Sequence, residues 1–599
     1  MEQSVRREPS EEYLRRRSQR QSDAERLEGR HRLLGYFRLA ILVAGAVLAW
    51  MILRGDALPG AILLVPVALF FALSRVHDGV LSRMEDLRRA AAYYGQGIDR
   101  MAGRWAGTGE GGGAFVQPSH PYAADLDLFG PGSLFELLCS ARTHAGQETL
   151  ARWLLEPAGP EEIRLRQEAV DELRGRLDLR EDLALLSAGA REGVDSEPLA
   201  RWAARPPLLL PGRARALLPI LAATSAITLS GWAFAGWSII PAAVMLAAQS
   251  AVAASWRLRV MEVVTSVERA ARDLQILSQV LARLERESFS SRLLAGLHDA
   301  LRTGGAPPSK RIARLGRLVE LLDSRRNQVF ALIAPVLLWA TQLAFALEAW
   351  RSRHGSAVEG WLHAVGEIEA LSSLAGYAFE HPGDPFPDVV DHGPLFEAVA
   401  LGHPLIPEAG CVRNDLRLGS DLRLLVVSGS NMSGKSTLLR SIGINAVLAQ
   451  AGAPVRAVSL RLSPLHLGAS IRNVDSLQDG KSRFYAEITR LKQILEISSD
   501  HHVVLYLLDE LLSGTNSHDR RIGAEAVVRG LVRRGAVGLL TTHDLALSRI
   551  AEEMGSEALN VHFEDHVESG EITFDYLLKP GVVAKGNALE LMRAVGIEV

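Results

Sequence analysis

"VVSGSNMSGKSTLLR", Val426 to Arg440, decides the fold. An apolar run enters it, glycine and small residues fill its middle, and a helix-forming run leaves it. Strand, tight loop and helix in that order are the setting a phosphate loop needs, and Gly429-x-x-x-x-Gly434-Lys435-Ser436 has its spacing. Glycines let backbone N–H groups turn inward around phosphate oxygens, and the helix start adds the positive end of its dipole. The residues expected on phosphate are Gly429, Ser430, Asn431, Met432, Ser433, Gly434, Lys435, Ser436 and Thr437. Lys435 is read as the cation for the β- and γ-phosphates, and Ser436 as a hydroxyl ligand of Mg²⁺.

Two further strands complete the expected site. "HHVVLYLLDE" is an apolar run closing on Asp509 and Glu510. Open α/β sheets bind ligands at the carboxyl ends of their strands. Asp509 is therefore expected to hold Mg²⁺, and Glu510 to act as general base on the attacking water. "AVGLLTTHD" ends at His543, read as a hydrogen-bonding sensor of the γ-phosphate. His501 and His502 are read as a strand entrance.

With 599 residues the chain has room for three or four domains. A net charge of −3 gives no sign of a nucleic-acid partner for the chain as a whole and leaves room for a local basic patch. The two cysteines, Cys139 and Cys411, lie far apart in no ligand spacing. They fit a reducing compartment and small core side chains.

The N-terminal half carries membrane-like segments. Residues 1–32 form a polar, arginine-rich tail, read as a disordered or helical cytoplasmic segment. "LAILVAGAVLAWMIL" and "ALPGAILLVPVALFFALS" then follow with only Arg54, Gly55 and Asp56 between them. Each approaches the roughly 20 residues that span a bilayer as helix, so residues 33–76 are expected to be a transmembrane hairpin. From Ala216 to Trp256 no residue is charged, and Gly231, Gly236 and Pro241 break the run near its middle. Residues 216–256 are thus expected to be a second hairpin. Arginine flanks both hairpins, which places their ends in the cytoplasm. Four spans keep the phosphate loop on the side where ATP is. For that reason Asn327–Leu347, also apolar, is read as a buried or membrane-surface helix.

Between these landmarks, residues 107–121, opening with "GTGEGGG", read as a flexible linker. Leu274, Leu277, Leu281 and Leu284 recur at helical spacing, as do Ile312, Leu315, Val319 and Leu322, and both stripes read as helix-packing faces. From about residue 398 short strands alternate with helices, an α/β pattern. The expected organisation is an α/β P-loop ATPase domain at 398–599. An all-α core precedes it at 122–397, interrupted by the second hairpin.

These motifs together resemble the MutS family of DNA mismatch-repair ATPases. "SGSNMSGKSTLLR" is similar to that family's TGPNMGGKST loop. "SLQDGKSRFYAEITRLKQIL" matches a family segment through Phe484 and Glu487, and "LLDELLSGTNSHDRRIGAEA" matches another through Gly514, Thr515, Ser517 and Asp519. "TTHD" resembles its switch histidine. "GHPLI" and "VRNDLRL" match through His403, Pro404, Asn414 and Asp415, and Gly132–Leu173 resembles the start of the helical core. The resemblance implies ATP with Mg²⁺, a homodimer with sites completed across its interface, and DNA as a partner. It also implies that Ser513, Gly514, Thr515, Asn516 and Ser517 reach the partner's γ-phosphate, where hydroxyl and backbone donors suit the charge. The chain departs from the family where membrane-like segments stand in place of an N-terminal mismatch-reading domain, where the clamp region is short, and where Ser433 replaces a glycine. These departures count against mismatch recognition and leave the nucleotide chemistry intact. The expected protein is a multi-pass inner-membrane ATPase with a cytoplasmic engine, its DNA contacts drawn from arginines of 257–326. The alternative is a membrane ATPase doing conformational work on a protein, lipid or transport partner. An ABC transporter is disfavoured because "SGTNS" follows the Asp509-Glu510 strand instead of preceding it.

Overall fold

The computed structural model describes residues 8–54, 59–187, 197–209, 212, 214–270, 274–302, 305–328, 330–430, 432–471, 483–499, 502–512, 514–568 and 571–583. The chain divides into two compact units, Met1–Ala106 with Phe379–Pro382, and Gly107–Ala378 with Gly383–Val599.

The first unit is a helical hairpin of α1 (Pro9–Leu53) and α2 (Leu64–Met101). The arginine-rich tail is not a separate element: from Pro9 onward it is the first half of α1. Proline is tolerated at a first helical turn because its missing N–H would have no partner there. The polar halves of both helices pack through Tyr13, which is buried between Tyr94 and Phe379. Its hydroxyl donates to Glu380, which also forms a buried ion pair with Arg100. The apolar halves leave Leu39, Val43, Trp50, Leu64 and Phe71 exposed.

In the second unit, the described residues of 134–378 supply helices and turns. The two leucine-type stripes are buried, and the helices Leu274–Leu284 and Pro308–Asp323 pack on each other through them. The glycine-rich stretch read as a linker winds about a carboxylate: the N–H groups of Gly107, Gly109 and Gly132 donate to Glu136 at 3.0, 2.7 and 2.6 Å. Glycine permits this because a side chain at Gly109 would sit 3.1 Å from Glu136. Asn327–Leu347 is not one helix. It turns through a short 3₁₀ segment at Phe330–Leu332, and a regular helix begins at Trp339 and continues to Glu380. Pro335 accounts for the delay, since it lacks the N–H a helix interior requires.

Among the described residues three helical segments are long and apolar enough to cross a bilayer, Pro9–Leu53, Gly60–Met101 and Arg215–Ala235. Four were expected. The helix Ile240–Ala270 follows the third, but its apolar half is built from alanine with Gln249, Ser250 and Ser255, which lowers its hydropathy.

The C-terminal part holds two sheets, from strands β1 (Asp388–Val389), β2 (Leu395–Leu401), β3 (Asn414–Gly419), β4 (Leu424–Ser428), β5 (Ser459–Leu462), β6 (His466–Ser470), β7 (Val504–Asp509), β8 (Val537–Thr542), β9 (Ala558–Glu568) and β10 (Glu571–Pro580). One sheet has the order β1-β5-β2-β3, and the other β10-β9-β4-β8-β7-β6. In the larger sheet all strands are parallel except β10, which returns antiparallel along β9. Parallel strands are covered on both faces and therefore read as unbroken apolar runs; every residue of β4 and β8 is buried. On one face Leu491, Ile494, Val528, Leu531, Leu547 and Ile550 pack onto Val426, Tyr506 and Leu508. On the other the helix Lys435–Ala451 comes close because Gly443 has no side chain; a Cβ there would lie 2.5 Å from Leu126 and 2.9 Å from Leu507. β4 and β7 thus bring the phosphate loop and the Asp509-Glu510 pair to the carboxyl end of one parallel sheet.

Candidate functional site

The loop after β4 relies on two backbone conformations that favour glycine or small steric demand. Gly434, at φ +99°, lets the helix begin at once with Lys435, and Met432 stands exposed at φ +71°. A side chain at Gly434 would come within 3.1 Å of the Tyr576 ring. Lys435 is buried, and its Nζ donates to the carbonyls of Gly429 at 2.8 Å and Ser430 at 2.7 Å. Burial pushes its pKa below the usual lysine value, while Glu510 and Asp509 pull it back up.

The acids converge on this loop. Lys435 Nζ lies 3.8 Å from Glu510 Oε1, and Ser436 Oγ donates to Asp509 Oδ2 at 2.5 Å. Parallel register sets Asp509 beside Thr541 of β8. The Thr541 hydroxyl donates to Asp509 Oδ1 and accepts from the Glu510 N–H at 3.2 Å, so one side chain holds the Asp509 carboxylate and the Glu510 backbone. Glu510 itself has φ +46°, a region that costs a non-glycine residue energy and persists only where neighbours enforce it. The neighbours are visible: the Glu510 N–H also meets the Thr541 carbonyl, and Glu487 accepts the N–H of Leu512, itself at φ +54°, at 2.5 Å. His543 Nδ1 stands 3.2 Å from Glu510 Oε1. The histidine therefore stands against the Glu510 carboxylate.

A cavity of about 700 Å³ joins these groups to an apolar wall. One end carries Lys435, Ser436, Asp509 and Glu510. The other is formed by Leu401, His403, Ile406, Cys411 and Val412, with Phe563 and Tyr576 alongside. The volume falls within the roughly 300–1,000 Å³ of small-ligand sites. Polar at one end and apolar at the other, it fits a nucleoside triphosphate. Two observations support phosphate and a divalent cation there. The hydroxyls of Ser430 and Ser433 are buried and have no hydrogen-bond partner among the described residues. The Ser436–Asp509 pair supplies one hydroxyl and one carboxylate, the sparse oxygen set with which Mg²⁺ is held beside substrate phosphates.

Side-chain amides fix the walls. Asn414 donates to the Tyr576 carbonyl at 3.0 Å and accepts the Leu578 N–H at 2.7 Å, pinning β10 against β3. Asn445, buried in the helix after the loop, donates to Gly402 O at 2.8 Å and accepts the Arg456 N–H at 2.8 Å. The apolar wall was not legible in the motifs, except for His403 and Asn414. Thr541 was missed outright, because only the pairing of β7 with β8 sets it beside Asp509.

His403 has a titration consequence. It is buried, its Nδ1 accepts the Leu405 N–H at 3.2 Å, and burial with a further push from Arg440 lowers its pKa from 6.5 to about 4. The folded chain therefore favours the neutral ring. The stability this represents is full above pH 6.5 and is lost as pH falls towards 4. Between pH 7 and pH 5 the loss from this residue is expected to be about 2 kcal/mol. In chemical denaturation, His403→Asn should therefore lose about 2 kcal/mol less than wild type over that interval. Equal losses would refute the assignment.

The remaining predicted residues are placed as follows. Gly514, Thr515 and Asn516 lead into the helix Ser517–Arg533, where Asn516 is the N-cap and accepts the Asp519 N–H at 2.9 Å. Thr437 lies in the first turn of the helix after the loop and lines the cavity. Asn431 and Ser513 lie outside the described residues. Of the arginines expected on DNA, Arg283 pairs with Asp182 and Glu287, Arg292 with Glu161, and Arg325 and Arg326 with Glu268.

Residues 425–598 match the family model described as MutS domain V. The chain is 34% identical over 207 residues to Endonuclease MutS2 of Thermus thermophilus, covering 34% of this chain and 27% of that protein. It is 33% identical over 242 residues to DNA mismatch repair protein MutS 2 of Halobacterium salinarum, covering 39% of this chain and 27% of that one. With DNA mismatch repair protein MSH3 of Phaeosphaeria nodorum it shares 32% over 242 residues, 38% of this chain and 21% of the relative. The chain thus spans about a quarter of the length of these curated relatives.

Proposed function

Because the chain belongs to the MutS family by its domain V, residues 425–598, we propose that it is a membrane-anchored ATPase. In this reading it hydrolyses ATP in a site completed by a second copy and couples that cycle to DNA. The observation that carries the chemistry is the meeting of Lys435, Ser436, Asp509 and Glu510 at one end of the cavity.

Each residue has a task that its position supports. Backbone N–H groups of the loop and the hydroxyls of Ser430 and Ser433 bind phosphate oxygens. Lys435 Nζ turns from the two loop carbonyls to the β- and γ-phosphates. Mg²⁺, held by Ser436 and Asp509, would neutralise charge on the phosphates. Glu510 Oε1 takes the proton of the attacking water, and His543 Nδ1 holds that carboxylate in orientation. Ser513 to Ser517 are proposed to serve the partner copy's triphosphate, with Asn516 also capping its own helix.

Membrane attachment rests on the three apolar helical segments. The helix Ile240–Ala270, 31 residues long, returns the chain across the bilayer although it is less apolar, which keeps domain V on the cytoplasmic side. Curated relatives carry names of DNA repair, and on that basis DNA is the proposed partner. A second reading, conformational work on a membrane component, is favoured by one observation: Arg283, Arg292, Arg325 and Arg326 already have carboxylate partners. Phosphate release from ATP and Mg²⁺ by the detergent-solubilised full chain tests the enzyme; none above background would overturn it. A duplex-DNA titration across salt separates the readings. Binding that weakens with a steep log–log salt slope supports the first, and no binding at low salt supports the second.

A further inference from the structure

A small cavity of about 200 Å³ lies where the helix Arg215–Ala235 begins, against the first turns of the helix Trp339–Glu380. One wall is Arg215, Leu218 and Pro219, one turn of the first helix. The other includes Trp339, Gln342 and Leu343. Leu218 and Leu343 are buried and make an apolar floor. Arg215 is exposed at the rim, and no carboxylate pairs with it among the described residues.

The surroundings say what kind of molecule enters. Past Arg215 the same helix turns Leu217, Ile220, Ile227 and Phe234 outward, a surface that only hydrocarbon covers without cost. Leu332 and Ile333 are also exposed, in the segment that precedes Trp339. The Trp339 indole N–H donates to the Leu321 carbonyl at 2.6 Å, which fixes the ring beside the cavity, and tryptophan is a residue enriched at membrane–water boundaries. The volume is below the roughly 300–1,000 Å³ that encloses a whole small molecule. It suits part of an amphiphile whose remainder stays in the bilayer. A cation above an apolar floor, at the end of a bilayer-length helix, selects an anionic headgroup attached to hydrocarbon.

We propose that this cavity is a site for an anionic phospholipid, with the headgroup phosphate on Arg215 and the upper acyl chain along Leu218, Pro219 and Leu343. The proposal rests on the membrane reading above and goes beyond it by assigning one lipid class to one place.

The test uses the full-length chain reconstituted in vesicles of equal parts phosphatidylglycerol and phosphatidylcholine, then released for native mass spectrometry. Retained phosphatidylglycerol is expected to exceed phosphatidylcholine about fivefold. Arg215→Gln should bring the ratio close to that of the vesicle, and Arg259→Gln, an exposed arginine outside the cavity, should leave the excess in place. Equal retention of the two lipids by wild type, or equal loss in both variants, would overturn the site. Extraction of the wild-type chain by alkaline carbonate would instead remove the membrane reading, and the lipid site with it. Retention of the chain in the membrane with no lipid preference removes the site alone.

Discussion

Glu510→Gln is expected to slow ATP turnover by about 10²- to 10⁴-fold while nucleotide binding changes little, the range seen when a positioned general base is lost. Glutamine keeps the shape and can keep the contact with His543, but it cannot take a proton from water. The loop, Lys435 and the Ser436–Asp509 pair are untouched, so the affinity for ATP should survive. Phosphate release and fluorescent-nucleotide binding on the same preparation check both halves. Turnover within tenfold of wild type would reject Glu510 as the base. Loss of binding together with turnover would mean that the +46° backbone at this position, and not the carboxylate, is what the substitution disturbs.

The second large effect is structural. Gly538→Val should unfold domain V or lower its stability by about 3 kcal/mol or more, the upper range for overpacking a core. Gly538 in β8 stands opposite Tyr506 in β7, and the fully buried Tyr506 ring lies across the space a side chain would take. A Cβ at Gly538 would be 2.1 Å from the Tyr506 carbonyl oxygen and 2.5 Å from its ring. Backbone cannot yield there without shifting β7, the strand that ends in Asp509. The denaturant midpoint of the 425–598 region reports the loss, and an unchanged midpoint would contradict it.

The parts of the site that lie within one short segment were legible. The phosphate loop and the strand before Asp509 each carry their chemistry in a run where composition and spacing suffice. The apolar wall was not, because Leu401, Ile406, Val412 and Tyr576 come from β2, the turn before β3, and β10, and only the fold makes them neighbours. Thr541 escaped for a similar reason: threonine in a strand is ordinary, and its role appears only with the β7–β8 register. The membrane-like segments were recognised by length and hydropathy, but their extents were not. Polar sequence precedes the apolar stretch in α1 and follows it in α2 within one continuous helix, since helix propensity does not depend on hydrophobicity. Proline and the turn at Phe330–Leu332 likewise divided Asn327–Leu347 where average hydropathy showed one run.

The hydroxyl that serves both acids ties chemistry to spacing at the opposite rim of the sheet. β8 starts just after Gly535, at φ +82°, and Thr541 lies six residues on, about 20 Å away at extended rise. One residue added or removed in that turn, with β8 sliding past β7 to compensate, would move Thr541 by about 3.3 Å and send its side chain to the other face. Asp509 would lose that hydroxyl donor and the Glu510 N–H that acceptor, although no residue of any recognisable motif had changed. Insertions at this remote bend should therefore be far less tolerated than its surface location suggests.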